Sequence, residues 1–284
     1  MAATSRFSIT SHPVVLTMLA MLAFAGNSLL CRQALAGTSI DPLSFTLIRL
    51  CSGAIVLTLV LRLTSSQSSP RGSLKMALAL LGYALGFSLA YVQLSAATGA
   101  LILFAAVQVC MLSVGLWQGD KFTTPQWGGF FTAMAGLIYL LMPGVSAPPV
   151  LPAALMSVAG ICWGFYSLWG KQAGQPLATT TGNFLLAAPI SLLALCIPGM
   201  APDWDWQGVM FAVLSGALTS GLGYAIWYHA LAYLQPTSAA TIQLSVPVIT
   251  AILGVMLLAE PLTPRLILSA VAILGGILLV IRCK

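Results

Sequence analysis

A chain of 284 residues that is 59% hydrophobic and only 6% charged cannot cover a water-facing surface, since soluble globular chains carry about 25% charged residues. Its solvent is lipid, and at roughly 25–30 residues per spanning helix and turn the length holds about ten spans, with no room for a nucleotide-binding or extramembrane catalytic domain. The net charge of +6 does not signal nucleic acid, because the 11 Lys and Arg are scattered singly without a patch or run.

The uncharged stretch 13–31 is the first span. Arg6 ahead of it and Ala23-Phe24-Ala25 within it imitate a cleavable signal, but cleavage would leave nine spans, so an uncleaved helix is expected. The stretch 43–61 is the second span and contains Arg49. Residues 76–119 hold spans 3 and 4, divided at Ser95-Ala96-Ala97-Thr98-Gly99. Residues 122–170 hold spans 5 and 6, divided between Pro143 and Pro152. Residues 172–202 are span 7. Residues 206–259 hold spans 8 and 9, divided at Gln235-Pro236-Thr237-Ser238, and 266–281 is span 10.

With the N-terminus inside, Arg6, Arg62, Arg71, Lys75, Lys121, Lys171, Arg282 and Lys284 fall on the cytoplasmic side, and only Arg32 and Arg265 fall outside. This positive-inside bias puts both termini in the cytoplasm of a multi-pass inner-membrane protein. The six cysteines form no C-x-x-C pair or metal-ligand spacing and are expected to be packing residues.

Ten spans divide into two fives, and an odd number per half inverts one half relative to the other. The halves share punctuation. Span 1 ends in Gly26-Asn27-Ser28-Leu29-Leu30-Cys31-Arg32, and span 6 in Gly164-Phe165-Tyr166-Ser167-Leu168-Trp169-Gly170-Lys171. Span 4 runs into Asp120-Lys121-Phe122-Thr123-Thr124-Pro125, and span 9 into Glu260-Pro261-Leu262-Thr263-Pro264. The interval from base to acid is 120−32 = 88 in one half and 260−171 = 89 in the other. The expected fold is an all-α integral membrane protein of ten transmembrane helices, arranged as two inverted five-helix repeats (1–145 and 146–284) around a central cavity. Inverted repeats with a midplane site are the architecture of alternating-access carriers.

Trp163-Gly164 with Lys171, Arg49 in span 2, and Ser245-Val246-Pro247-Val248 leading to Glu260-Pro261-Leu262-Thr263-Pro264 resemble the drug/metabolite transporter superfamily, EamA type. Within it, the chain most resembles the YddG-type exporters of aromatic and other amino acids. One departure is that span 4 carries Gln108 where span 9 has Pro247. The resemblance implies a carrier whose cavity is lined by spans 1, 3, 4, 6, 8 and 9, with spans 5 and 10 peripheral.

Polar groups inside a membrane are costly and therefore informative. Arg49 lies about two turns into span 2 and reads as a contact for a substrate carboxylate, or as a structural tie to carbonyls, helix ends or Asp41. Tyr83, Phe87 and Tyr91 form one stripe on span 3. Tyr83 and Trp163 are too deep for interfacial anchoring and are expected on the cavity, whereas Tyr224, Trp227 and Tyr228 fit anchoring equally well. Asn27, Ser28, Gln108, Ser167 and Gln243 read as substrate contacts or as helix–helix hydrogen bonds. The candidate substrate-binding set is Trp163, Tyr83, Tyr91, Gln108, Asn27, Gln243 and Arg49. Arg32 with Glu260 outside, and Lys171 with Asp120 inside, are candidate gate pairs, or else unrelated helix-end charges.

No catalytic or metal constellation is visible, and no cofactor is expected. No Asp or Glu lies near the midplane, so obligatory proton coupling is not expected. The expectation is an exporter of amino acids, not an enzyme, embedded in the lipid bilayer, with no nucleic-acid partner and with a monomer favoured. Another metabolite or drug of the same superfamily, or a nucleotide-sugar or sugar-phosphate, is the alternative substrate. A di-anion would want more intramembrane Lys or Arg than Arg49 alone, and a drug cation would want an intramembrane acid. A membrane-embedded enzyme and a channel are the readings from other classes.

Overall fold

The computed structural model describes residues 13–64, 68–119, 121–144, 147–171, 173, 175–194, 203–231, 233–234 and 242–283. Seven helices follow in order: α1 Pro13–Gly37, α2 Pro42–Thr64, α3 Leu74–Tyr91, α4 Ala96–Trp117, α5 Thr124–Leu141, α6 Val150–Lys171 and α7 Pro176–Ala194. The eighth, α8, starts as Trp206–Leu214, passes through the π-helical stretch Ser215–Leu222 and continues as Gly223–Leu231. Ser245–Leu258 is α9 and Pro264–Arg282 is α10. The described residues thus form ten helices, eight of which are long and apolar enough to cross a membrane. The protein is a multi-pass membrane protein.

Short polar residues start the helices where orphan N–H groups need acceptors. Ser73, Ser95, Asp205 and Thr263 each accept a backbone N–H at the openings of α3, α4, α8 and α10. Thr123 and Gln126 form a capping box on α5. The sequence division at Ser95–Gly99 therefore falls earlier, before Ser95. The division at Gln235–Ser238 lies outside the described residues. Pro247 offers no N–H to the carbonyl of Gln243, and the helical residues 242–243 break at Leu244 before α9 begins.

Asp41 ties the α1–α2 turn to the segment before α8. Its Oδ1 accepts the N–H groups of Leu43 and Ser44 at 2.9 Å each, and its Oδ2 accepts the Asp203 N–H at 3.0 Å. Partial burial pushes its carboxyl up, but the hydrogen bonds from Ser44, Asp203 and Leu43 outweigh this and hold it below the ordinary carboxylate value. A depressed folded value contributes stability above the unfolded pKa, and that contribution disappears as pH falls through the folded one. Asp41→Asn is therefore expected to lower the melting temperature in detergent by about 2–4 °C at pH 7. The gap should close below about pH 4. An equal gap at pH 7 and pH 3 would show that the charge is not responsible.

The helix packing repeats itself when each helix is exchanged for the one five places on. The α1–α8 contact matches α6–α3, α1–α9 matches α6–α4, and α2–α8 matches α7–α3. The pairs α2–α7, α4–α9 and α5–α10 map onto themselves. This is the arrangement of two inverted five-helix repeats. α5 and α10 pack chiefly on each other, so closely that a Cβ on Gly129 would strike the Gly276 carbonyl and the reverse. They stand aside from the central cavity.

Candidate functional site

Between the repeats lies a cavity of about 370 Å³, within the range of small-molecule sites. Helical spacing brings its wall together. Phe24, Asn27 and Ser28 come from α1, and Tyr83 and Phe87 from α3. Phe104, Gln108 and Met111 come from α4, and Trp163, Tyr166, Ser167 and Gly170 from α6. On α8 the wall runs Thr219, Tyr224, Trp227, Tyr228. The π-helical stretch Ser215–Leu222 lies between the α-helical parts of α8, and Thr219 within it and Tyr224 just after it both reach the wall. Gln243 completes the wall just before α9, and α7 adds Pro176 at its first turn. Among the described residues the wall carries no charged side chain.

Nine of its 21 described lining residues are aromatic. Trp163 stacks on Tyr166 with centroids 5.3 Å apart at 22°, and meets Tyr83 at 4.8 Å and Tyr224 at 5.3 Å. Phe24 packs edge-on against both Tyr224 and Trp227. Tyr224, Trp227 and Tyr228 therefore line the cavity, and Tyr224 and Trp227 are buried. Ser167 bonds its own helix through the Trp163 carbonyl at 2.8 Å. The amides of Gln108 and Gln243 make no hydrogen bond among the described residues, so both are free for a ligand.

A polar network backs this wall. Asn27 Nδ2 donates to the Tyr83 hydroxyl at 3.4 Å, while Asn27 Oδ1 accepts from Ser215 Oγ at 2.8 Å and Thr219 Oγ1 at 3.2 Å. Arg49 is only 2% exposed and is not on the wall. Its Nη2 donates to the Tyr83 hydroxyl at 3.1 Å and its Nε to Ser220 Oγ at 3.3 Å, and its guanidinium lies 5.3 and 5.1 Å from the ring centres of Tyr83 and Phe87. Tyr91 is also off the wall. It is fully buried beyond Phe87, donating its hydroxyl to the Ala96 carbonyl at 3.2 Å.

The end of the cavity beyond Phe87 is closed. Arg32 Nε meets Glu260 Oε1 at 3.0 Å. Arg32 Nη1 also donates to the carbonyls of Tyr91 and Val92 at 3.0 Å each, and Glu260 Oε2 accepts the Ala96 N–H at 2.7 Å. One ion pair thus binds the ends of α1, α3, α4 and α9. In the other direction the cavity reaches Gly170, Ala173 and Pro176. The side chain of Lys171 and the whole of Asp120 lie outside the described residues. The structure therefore brings Trp163, Tyr83, Gln108, Asn27 and Gln243 to the wall, places Arg49 and Tyr91 behind it, and joins Arg32 to Glu260. Sequence reasoning missed Phe24, Tyr166 and Thr219. The run Ser215-Gly216-Ala217-Leu218-Thr219-Ser220 in the middle of span 8 was the available signal for the last.

The family model of the EamA-like transporter family matches residues 12–142 and again 151–282. An uncharacterized protein of Pseudomonas aeruginosa is 52% identical over 270 residues, covering 94% of each chain. The threonine/homoserine exporter RhtA of Escherichia coli is 27% identical over 279 residues, covering 93% of this chain and 89% of that one. A solved crystal structure aligns over 95% of this chain and 99% of its own with a TM-score of 0.66 at 16% identity, a likeness of fold.

Proposed function

This chain belongs to the EamA-like transporter family, and we propose that it exports amino acids, aromatic ones included, across the inner membrane by alternating access. Both termini then lie in the cytoplasm, the repeats are 1–145 and 146–284, and the closed Arg32–Glu260 end faces outward. The observation that carries the reading is a cavity walled by aromatic rings and free amides, with no charged side chain among the described lining residues. Such a wall suits a zwitterion: ring faces attract an ammonium, and neutral donors hold a carboxylate. The similarity to a threonine/homoserine exporter supports the same substrate class. The stacked rings of Trp163 and Tyr166 extend it to aromatic side chains. A sugar-phosphate carrier is disfavoured, because a phosphate wants Arg or Lys on the wall and the described wall has neither. Exchange is expected to need no proton gradient, since no carboxylate faces the cavity among the described residues.

The test is counterflow in proteoliposomes preloaded with one unlabelled amino acid, with no ion gradient. Saturable uptake of label is expected, competed by several amino acids. Trp163→Ala should lower the rate about tenfold through loss of three ring contacts, and Trp163→Phe should keep most of it. No exchange of any amino acid by folded protein would overturn the substrate class.

A further inference from the structure

We infer that Tyr83 is the residue that recognises the substrate's carboxylate, and that Arg49 acts only through it, as a positioning residue. The inference deepens the proposal above and rests on it for the amino-acid class. A phenolic hydroxyl has one proton and two acceptor positions. On Tyr83 both acceptor positions are taken: Arg49 Nη2 donates at 3.1 Å and Asn27 Nδ2 at 3.4 Å. A guanidinium has no acceptor to offer in return. Neither does the face of Asn27 that Tyr83 meets, because two hydroxyls, Ser215 and Thr219, hold its oxygen on the other side. The Tyr83 proton has no acceptor among the described residues, and Tyr83 lines the cavity. That proton is the one it can offer a ligand.

The two donors on the oxygen leave the proton the remaining direction, and three surrounding groups hold the ring. The Tyr83 ring sits 4.8 Å from Trp163 and 5.3 Å from Phe87, centre to centre, with the Arg49 guanidinium 5.3 Å from its own centre. Accepting from a cation polarises the hydroxyl and strengthens it as a donor. Arg49 forms no ion pair among the described residues, so its positive field at the closed end of the cavity is not cancelled by a carboxylate of the protein. Arg49 is off the wall: its Nη2 and Nε are engaged by Tyr83 and Ser220 and its plane lies against two rings, while its buried Nη1 has no partner among the described residues, so it acts on a cavity ligand through Tyr83. An anionic oxygen is therefore favoured at Tyr83 over a neutral amide.

The test titrates the full-length protein in lipid nanodiscs with two matched pairs of probes: L-phenylalanine against L-phenylalaninamide, and 3-phenylpropionate against 3-phenylpropionamide. The wild type should prefer each acid by about tenfold, the size of one charge-assisted hydrogen bond. Tyr83→Phe should remove that preference by weakening the acids about tenfold and the amides less than about threefold. Arg49→Lys should retain part of the preference and Arg49→Met should lose it. If the Arg49 variants do not fold, Tyr83→Phe decides. Equal affinity for acid and amide in the wild type, no binding of either acid, or a preference that survives Tyr83→Phe overturns the inference. If the wild type exchanges no amino acid but prefers phenylpropionate through Tyr83, the inference stands and the amino-acid reading falls.

Discussion

Arg32→Glu and Glu260→Arg are each expected to slow amino-acid exchange about 30-fold, the effect of about 2 kcal/mol on the closed state. The pair is mostly buried, with side chains 23% and 12% exposed, so its rupture is not screened away as at an open surface. Combining the two reversals should restore activity only in part, to about a tenth of wild type. The swap rebuilds the ion pair, but a glutamate at 32 cannot donate to the carbonyls of Tyr91 and Val92, and an arginine at 260 cannot accept the Ala96 N–H. A second readout follows the lock itself. Phe87→Cys, beneath the closed end, should react with a membrane-impermeant thiol reagent from that side at least about tenfold faster when either charge is reversed. A double variant no faster than the singles, with no change in labelling, would remove the gate reading.

Gly216→Ala is expected to cost about 3 kcal/mol and to lower the melting temperature by about 10 °C. A Cβ at Gly216 would meet the Arg49 carbonyl and Ser52 Oγ directly. The first of these is backbone and cannot swing aside. Facing it on α2, a Cβ on Gly53 would run into the Phe184 ring at 2.6 Å. The α2–α8 seam therefore depends on bare backbone, and spreading it would also draw Ser220 away from Arg49. Gly128→Ala and Gly275→Ala, where an added Cβ meets nothing within 4 Å, are the controls. They should leave the melting temperature unchanged or raise it slightly. A Gly216→Ala protein that melts with the wild type would show that the seam yields.

The number of helices was legible because charges are rare in this chain and, Arg49 within α2 apart, fall at or near helix ends and in the turns. Arg32 and Glu260 could be assigned to the same end from topology alone. That Arg32 would also reach the end of α3, and Glu260 the start of α4, depends on tertiary packing that no local pattern encodes. Trp163, Tyr83 and Asn27 reached the wall because depth and polarity together leave few other places for them. Tyr91 shares the face of Tyr83, but eight residues of helix rise carry it about 12 Å further, past the closed end of the cavity. Face was readable from periodicity; the depth at which the cavity stops was not. Arg49, left open between a substrate contact and a structural tie, could not be assigned for a related reason. Its helix packs against α7 and α8, one layer behind the wall, and a charge flags a buried site without saying which layer it occupies. Tyr224, Trp227 and Tyr228 follow the π-helical stretch, and spacing rules for an α-helix cannot place residues across it.

The exchange pattern of the helix contacts has a consequence for how such a molecule is put together. The pairs α2–α7, α4–α9 and α5–α10 are isologous: each uses the same helix of both halves against its counterpart. Isologous contacts are what a dimer of identical subunits makes about a two-fold axis, and here that axis lies in the plane of the membrane. The single chain thus has the geometry of an antiparallel homodimer whose two subunits have been fused end to end. Fusion frees each half to drift. Gln108 on one side and Pro247 on the other show such drift, as does a π-helical stretch in α8 where α3 is a plain α-helix. A five-helix ancestor would have been bound to a symmetric cavity. The fused chain can give one half the tyrosine Tyr83 and the other half the tryptophan Trp163, whose tilted ring lies 4.8 Å from it across the cavity wall.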